Sequence, residues 1–250
     1  MRWRTFAFSL GCLVPLPTVA AEISVLSAGA VDVPLSSLAE SYQRETGDKV
    51  EVKLNTMGGL RQKVAAGERA DIVIVTAKAM EELETLGSIV PGSTVLLGEV
   101  GIGVAVRENA PLPDISTAEA FKQTLLKAKS IVLVNPTKGT SGKHLAGVFE
   151  RLGIAEAVKQ KAVLADGGHA VEPVARGEIE LGMQQISEIL PVKGVKLVGP
   201  LPAELQKITT YSAAIMAGGK SQEAATAFIH HLASNEGRAT FVAKGFVAPR

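Results

Sequence analysis

The chain has 250 residues, 46% of them apolar and 4% aromatic, with 26 Lys and Arg against 25 Asp and Glu. It can bury a sizeable core and is neither an acidic nor a basic disordered tail. Arg2, Arg4, Trp3, Phe6 and Phe8 all lie at the very start. The remainder of the chain has no basic field for a phosphate backbone and too few ring faces for sugar platforms or aromatic cages, so no nucleic-acid partner is expected.

The first segment, Met1 to Ala21, carries two arginines, an apolar run from Phe6 to Leu16, the breaker Pro15-Leu16-Pro17 and small residues before Glu22. That pattern predicts a secretory signal peptide cleaved after about Ala21, and hence a periplasmic protein. The apolar run is too short, and too broken by proline, for a membrane anchor, so no membrane insertion is expected. Cys12 is the only cysteine. Its setting, Ser9-Leu10-Gly11-Cys12, has Ser where a lipoprotein processing box usually has Leu. Once Cys12 is removed with the leader, disulfides, thiolate metal sites and cysteine nucleophiles are excluded.

From Glu22 onward, β-rich runs alternate with amphipathic helical stretches. Strand Ile23–Ser27, a helix from about Val31 to Thr46, strand Lys49–Leu54, a helix from Gly59, strand Asp71–Val75 and a helix from Lys78 spell βαβαβα, the pattern of an open parallel sheet. After Pro91-Gly92-Ser93 and a strand over Gly101–Arg107, the pattern resumes. It runs through helix Thr117–Ala128, strand Ile131–Val134, helix Ser141–Leu152, strand Lys161–Leu164, helix His169–Arg176 and strand Glu180–Met183. Ile208–Met216 forms a late strand, followed by helices Ser221–Ser234 and Asn235–Ala243. The expected fold class is α/β and bilobed, with two doubly wound lobes around a central ligand cleft and two crossings between them. The first lobe is expected over 22–100 plus about 213–250, the second over about 101–212.

In open α/β sheets ligands sit where strand ends lead into helix N-termini, whose free N–H groups attract anions. The first such loop is Ser27-Ala28-Gly29-Ala30, small enough for close backbone approach, and the second is Asn55-Thr56-Met57-Gly58-Gly59. The richest is Asn135-Pro136-Thr137-Lys138-Gly139-Thr140-Ser141-Gly142-Lys143-His144. Its glycines are too close for a P-loop, and His144 follows the lysine, so nucleotide hydrolysis is not supported. The same residues suit a carboxylate or oxyanion, with Thr140 and Ser141 donating and a lysine neutralising. Asp166-Gly167-Gly168-His169 makes a further loop of this kind, and Gln184 ends a strand where its amide can donate to an anion. His144 and His169 are both candidate acid/base groups, because histidine titrates near neutral pH. His230-His231 has no partners at metal-ligand spacing, so no metal is predicted. No Gly-x-Ser-x-Gly elbow occurs.

The leader, Ile23-Ser24-Val25-Leu26-Ser27-Ala28-Gly29-Ala30, Glu45-Thr46-Gly47, Gly67-Glu68-Arg69-Ala70-Asp71 and Gly245-Phe246 together carry a resemblance. Over nearly the whole mature chain the sequence resembles the molybdate-binding, type II periplasmic solute-binding proteins. The resemblance implies a small anion held between two lobes by the loops at Ser27-Ala28, Thr56-Met57-Gly58, Thr140-Ser141 and the His169-Ala170-Val171 helix start. Two positions depart from the molybdate pattern: Ser27-Ala28-Gly29 replaces a paired serine or an Ala-Ala-Ser motif, and Gln184 stands where a tyrosine is common. Lys138, Lys143, His144 and His169 suit several carboxylates better than a compact oxyanion. With Ser-Ala-Gly-Ala, the chain looks like the branch that contains the periplasmic aconitate isomerases.

That branch implies a cofactor-free 1,3-allylic proton shift between cis- and trans-aconitate. His144 or His169 would be the base, with Lys143 or a hydroxyl-linked relay as alternatives. Lysines and helix N-termini that already hold the carboxylates would stabilise the delocalised carbanion. The alternative implied by the wider family is a substrate-binding protein, for molybdate-like oxyanions or small organic polycarboxylates, that presents its ligand to an ABC permease.

Overall fold

The computed structural model describes residues 20–248, so nearly all of the expected leader, Cys12 included, lies outside the described residues. The chain first forms β1 (Glu22–Ala28), a 3-10 turn (Gly29–Val31), α1 (Asp32–Thr46), β2 (Lys49–Asn55), α2 (Met57–Ala65), β3 (Ile72–Thr76), α3 (Ala77–Thr85) and β4 (Val95–Val100). Next come β5 (Ile102–Arg107), α4 (Ala118–Lys127), β6 (Ile131–Val134), α5 (Thr140–Arg151), α6 (Ala155–Lys159), β7 (Ala162–Ala165), α7 (Glu172–Ala175), β8 (Leu181–Gln185), α8 (Ile186–Ile189) and β9 (Val195–Pro200). β10 (Thr209–Ile215), α9 (Gln222–Ala233) and α10 (Asn235–Ala243) complete it. Among the described residues, no helix is long and apolar enough to cross a membrane.

The strands build two five-stranded sheets, ordered β2-β1-β3-β10-β4 and β7-β6-β8-β5-β9. Each has its own apolar core, one around Leu26, Ile74 and Phe228, the other around Val104, Phe121 and Leu133. The fold is therefore bilobed α/β, as expected. The sheets, however, are mixed rather than parallel. β1, β2 and β3 run parallel, as do β6, β7 and β8, but β10 is antiparallel to β3 and β4, and β5 is antiparallel to β8 and β9. The reason lies in the connections. A helical crossover enforces parallel pairing, whereas here the chain passes between lobes strand to strand: β4 and β5 are separated only by Gly101 and enter different sheets.

The return passage occupies 201–208, and β10 pairs within the first sheet from Thr209 onward. The two passages are tied to each other by Gln206. Its Oε1 accepts from the Ile102 N–H and its Nε2 donates to the Ile102 carbonyl, both at 2.9 Å.

β3 is buried on both faces over Ile72–Val75, which accounts for its unbroken β-branched run. β2 is an edge strand, and it exposes Lys49, Glu51 and Lys53 along a margin that would otherwise template pairing. The helix expected over His169–Arg176 shortens to α7. The Gln184 side chain takes the Ala170 N–H at 2.8 Å and donates to the Gly168 carbonyl at 2.7 Å, holding the preceding residues in an open loop.

At the end of the first sheet away from those loops, Asp71 accepts from the Ser24 N–H at 2.8 Å, the Ser24 hydroxyl at 2.6 Å and the Ser221 N–H at 2.8 Å. Burial pushes this carboxyl up, but the hydrogen bonds from Ser24 and from the Ser221 and Lys220 backbone outweigh it and hold Asp71 below its ordinary value. A carboxylate depressed in the folded state adds stability at neutral pH that is lost as pH falls through its folded value. Asp71→Ala is expected to cost about 2–3 kcal/mol in denaturant unfolding at pH 7. The difference from the unmutated protein should shrink in acid; a deficit that does not change with pH would contradict the ionised-carboxylate account.

Candidate functional site

The carboxyl ends of β1, β2, β6, β7 and β8 converge on a cleft between the lobes of about 210 Å³. The first lobe contributes Ala28, Gly29, Asp32, Asn55, Thr56, Met57 and, from β10, Tyr211. The second contributes Thr140 and Ser141 of α5, the Asp166–His169 loop, Gln185 and Glu188. The volume suits a small organic acid or oxyanion and is too small for a nucleotide.

Two helices open into this space. α2 is capped by Thr56, whose hydroxyl accepts from the Gly59 N–H at 3.2 Å. α5 is preceded at its N-cap by Gly139, which supplies no side-chain cap and leaves the first-turn N–H groups to a ligand. Gly142 lets α5 begin there: a Cβ at that position would lie 1.9 Å from the Val134 carbonyl oxygen. The His169 loop turns through Gly167 and Gly168 at φ of 146° and 66°, backbone that side chains disfavour.

His169 donates from Nδ1 to the Glu188 carbonyl oxygen, 3.0 Å away. A carbonyl only accepts, so Nδ1 carries the hydrogen, and in the neutral ring the Nε2 lone pair is left free. The Glu188 carboxyl is pushed up to about 8, mainly by burial and further by the charge of Asp32, with a hydrogen bond from Gln184 opposing. Burial, with Glu188 nearby, also raises the Tyr211 phenol, against a hydrogen bond from Gln185. Gln185 donates to the Thr209 hydroxyl at 3.2 Å, while its Oε1 is buried without a partner. An orphaned acceptor beside a cleft is a place for a ligand's hydrogen-bond donor.

Of the residues singled out in the sequence, Ala28, Thr56, Met57, Thr140, Ser141 and His169 line this cleft. Ser27 is 0% exposed and turns its hydroxyl to the Ala28 carbonyl. Gln184 is also fully buried and braces the His169 loop through its bonds to Gly168 and Ala170. Gly58 donates its N–H across the gap to the Lys138 carbonyl at 3.0 Å, a seam between the lobes. Beyond that seam lies an outer groove of about 730 Å³, lined by Arg61, Lys78, Lys138, Lys143 and Lys207. Arg61 pairs with Glu82 and Lys138 with Asp166, and the salt bridge to Lys138 holds Asp166 below the usual carboxylate range. His144 faces neither space; its Nε2 donates to the Leu205 carbonyl at 2.7 Å and ties α5 to the return passage.

Asp32 and Glu188 were not singled out from the sequence. The usable signal for Glu188 was an acidic residue three positions beyond the end of a strand that is buried throughout. Among the described residues, no group of three or more His, Cys, Asp or Glu side chains is arranged to hold a metal ion.

Two lobes closing on a pocket walled by strand ends and helix N-termini define a solute-binding architecture. Residues 23–247 match the bacterial extracellular solute-binding protein family, and the chain belongs to that family. It is 34% identical over 245 residues to an aconitate isomerase from Pseudomonas sp., covering 94% of this chain and 92% of the relative. It is 28% identical over 234 residues to the molybdate-binding protein ModA of Azotobacter vinelandii, covering 91% and 90%. The solved periplasmic molybdate-binding protein of Azotobacter vinelandii superimposes with a TM-score of 0.78 at 20% identity, covering 91% of this chain and all of that one.

Gly142→Ala is expected to displace α5 and lower stability by about 1–3 kcal/mol. Thermal melting reads this, and an unchanged melt would contradict the close approach of α5 to β6.

Proposed function

We propose that this protein is a periplasmic isomerase that interconverts cis- and trans-aconitate by a 1,3-allylic proton shift, without a cofactor, in the cleft between its lobes. The observation that carries this reading is a histidine with a fixed tautomer and a free Nε2 in an anion-binding cleft, in a chain 34% identical to an aconitate isomerase. The first-turn N–H groups of α5, with the hydroxyls of Thr140 and Ser141, hold one carboxylate, and the Met57 N–H with the Thr56 hydroxyl, at the start of α2, holds another. His169 removes a proton from the methylene carbon. The double bond migrates, and a proton enters at the former vinyl carbon. Negative charge spreads into carboxylates that the helix N-termini already hold, which favours the transition state over the bound substrate. Lys78, Lys143 and Lys207, for which the described residues supply no salt-bridge partner, give the outer groove a positive field that draws in polycarboxylates.

Proton NMR of trans-aconitate in D₂O with the mature protein tests the reading. The expected result is conversion to the cis isomer with deuterium entering the carbon skeleton, and His169→Ala is expected to slow it by at least 10²-fold. Binding without conversion would return the chain to the second reading, favoured by its similarity to ModA: a small-anion carrier for an ABC permease. Replacing Lys78, Lys143 and Lys207 together by glutamine is expected to lower kcat/KM about 10-fold at low salt. The same variant should also flatten the salt dependence of the rate.

A further inference from the structure

Glu188 is the acidic group that this chemistry leaves unused, and its position is unusual. It projects from α8 in the second lobe, yet its Oε1 comes within 3.4 Å of the place where a Cβ on Gly29 would stand, at the end of β1 in the first. The carboxyl thus reaches from the second lobe to the first. Asp32 of α1 and Tyr211 of β10 line the same pocket, as does His169, bonded to the backbone of Glu188 itself. Asp166 is the remaining carboxylate there, and it is neutralised by Lys138. Among the described residues, no Lys or Arg lines this pocket. Removal from water at this contact, with the charge of Asp32 adding to it, favours the protonated Glu188 carboxyl.

We infer that Glu188 is the catalytic acid of the isomerisation, delivering its carboxyl proton to the former vinyl carbon while His169 takes the methylene proton. This rests on the aconitate-isomerase reading. One C–H bond breaks and one forms, the π pair moves by one carbon, and the enzyme is left with an imidazolium at His169 and a carboxylate at Glu188. That conjugate pair returns its proton from His169 to Glu188 before the next turnover, so no external acid, base or oxidant is consumed. Asp32 is a positioning residue in this scheme: its charge adds to the burial that raises the Glu188 carboxyl.

The test compares unmutated mature protein with Glu188→Gln and Asp32→Asn, using trans-aconitate as the probe. NMR follows turnover, calorimetry follows affinity, and rates are taken across pH. Glu188→Gln, which keeps the shape and neutrality of the acid but offers no transferable carboxyl proton, is expected to lose 10²–10⁴-fold in turnover, with affinity within a few-fold. Asp32→Asn is expected to move the alkaline limb of the pH–rate profile to lower pH, because Glu188 then ionises earlier. Full turnover by Glu188→Gln beside an active parent overturns the inference and leaves the isomerase reading standing. So does a loss of affinity that accounts for the whole loss of turnover, since Glu188 would then only bind. An alkaline limb unmoved in Asp32→Asn overturns the role of Asp32. No conversion by the unmutated protein overturns the isomerase reading itself, and this inference with it.

Discussion

The carboxamide of Gln206 grips both backbone groups of Ile102, and the geometry of the molecule follows from that grip. Ile102 opens the first passage between lobes and Gln206 lies on the second, so one side chain makes the two passages a single strap. With the passages fixed side by side, the lobes can change their separation chiefly by bending about that strap. The strand ends on either side then stay opposed throughout the motion. His144 reinforces the arrangement by holding α5 to the Leu205 carbonyl on the same passage. A residue chosen in the sequence as a catalyst thus has its Nε2 hydrogen engaged by the passage whose position sets the cleft.

The two chambers separated by the Gly58–Lys138 seam differ in sign. The outer groove presents five cationic side chains against Glu82, whereas the inner pocket holds Asp32, Asp166 and Glu188 with His169. For a polycarboxylate this is a gradient from attraction to discrimination. The outer field favours any anion, and the inner chamber accepts one only where the Glu188 carboxyl, hydroxyls and free helix N–H groups can answer its oxygens. The raised Tyr211 phenol and the raised Glu188 carboxyl serve the same end, since each stays a hydrogen-bond donor at neutral pH.

Much of the fold was legible because periodicity is local. Strands such as Ile131–Val134 and helices such as Asn235–Ala243 announce themselves within their own residues, and both emerge at their expected bounds. β4 and β9 did not: Val95–Val100 contains glycine and glutamate, Val195–Pro200 ends on Gly-Pro, and both are strands because β10 and β5 pair with them from far along the chain. Strand direction was likewise hidden, since it depends on passages between lobes rather than on any residue pattern. At the site, the loop residues Thr56, Thr140, Ser141 and His169 could be read from βα junctions. Glu188 had only its place just past β8 to mark it, because the close approach of Gly29 and the charge of Asp32 come from the opposite lobe. Ser27 and Gln184 misled for the converse reason: both lie at strand ends, but they spend their polar groups inside their own lobes.

The seam itself is one backbone hydrogen bond, from Gly58 to the Lys138 carbonyl. A bond of that kind contributes about 1 kcal/mol net, so it alone slows opening only several-fold. Residence time in the cleft is then set by how firmly the occupant bridges the lobes. An occupant that matches both walls keeps the cleft shut and waits for a docking partner, whereas one whose charge is rearranged while inside loosens its own hold and leaves. The same hinge and latch therefore serve a carrier or a catalyst, and the occupant decides which clock the molecule runs on.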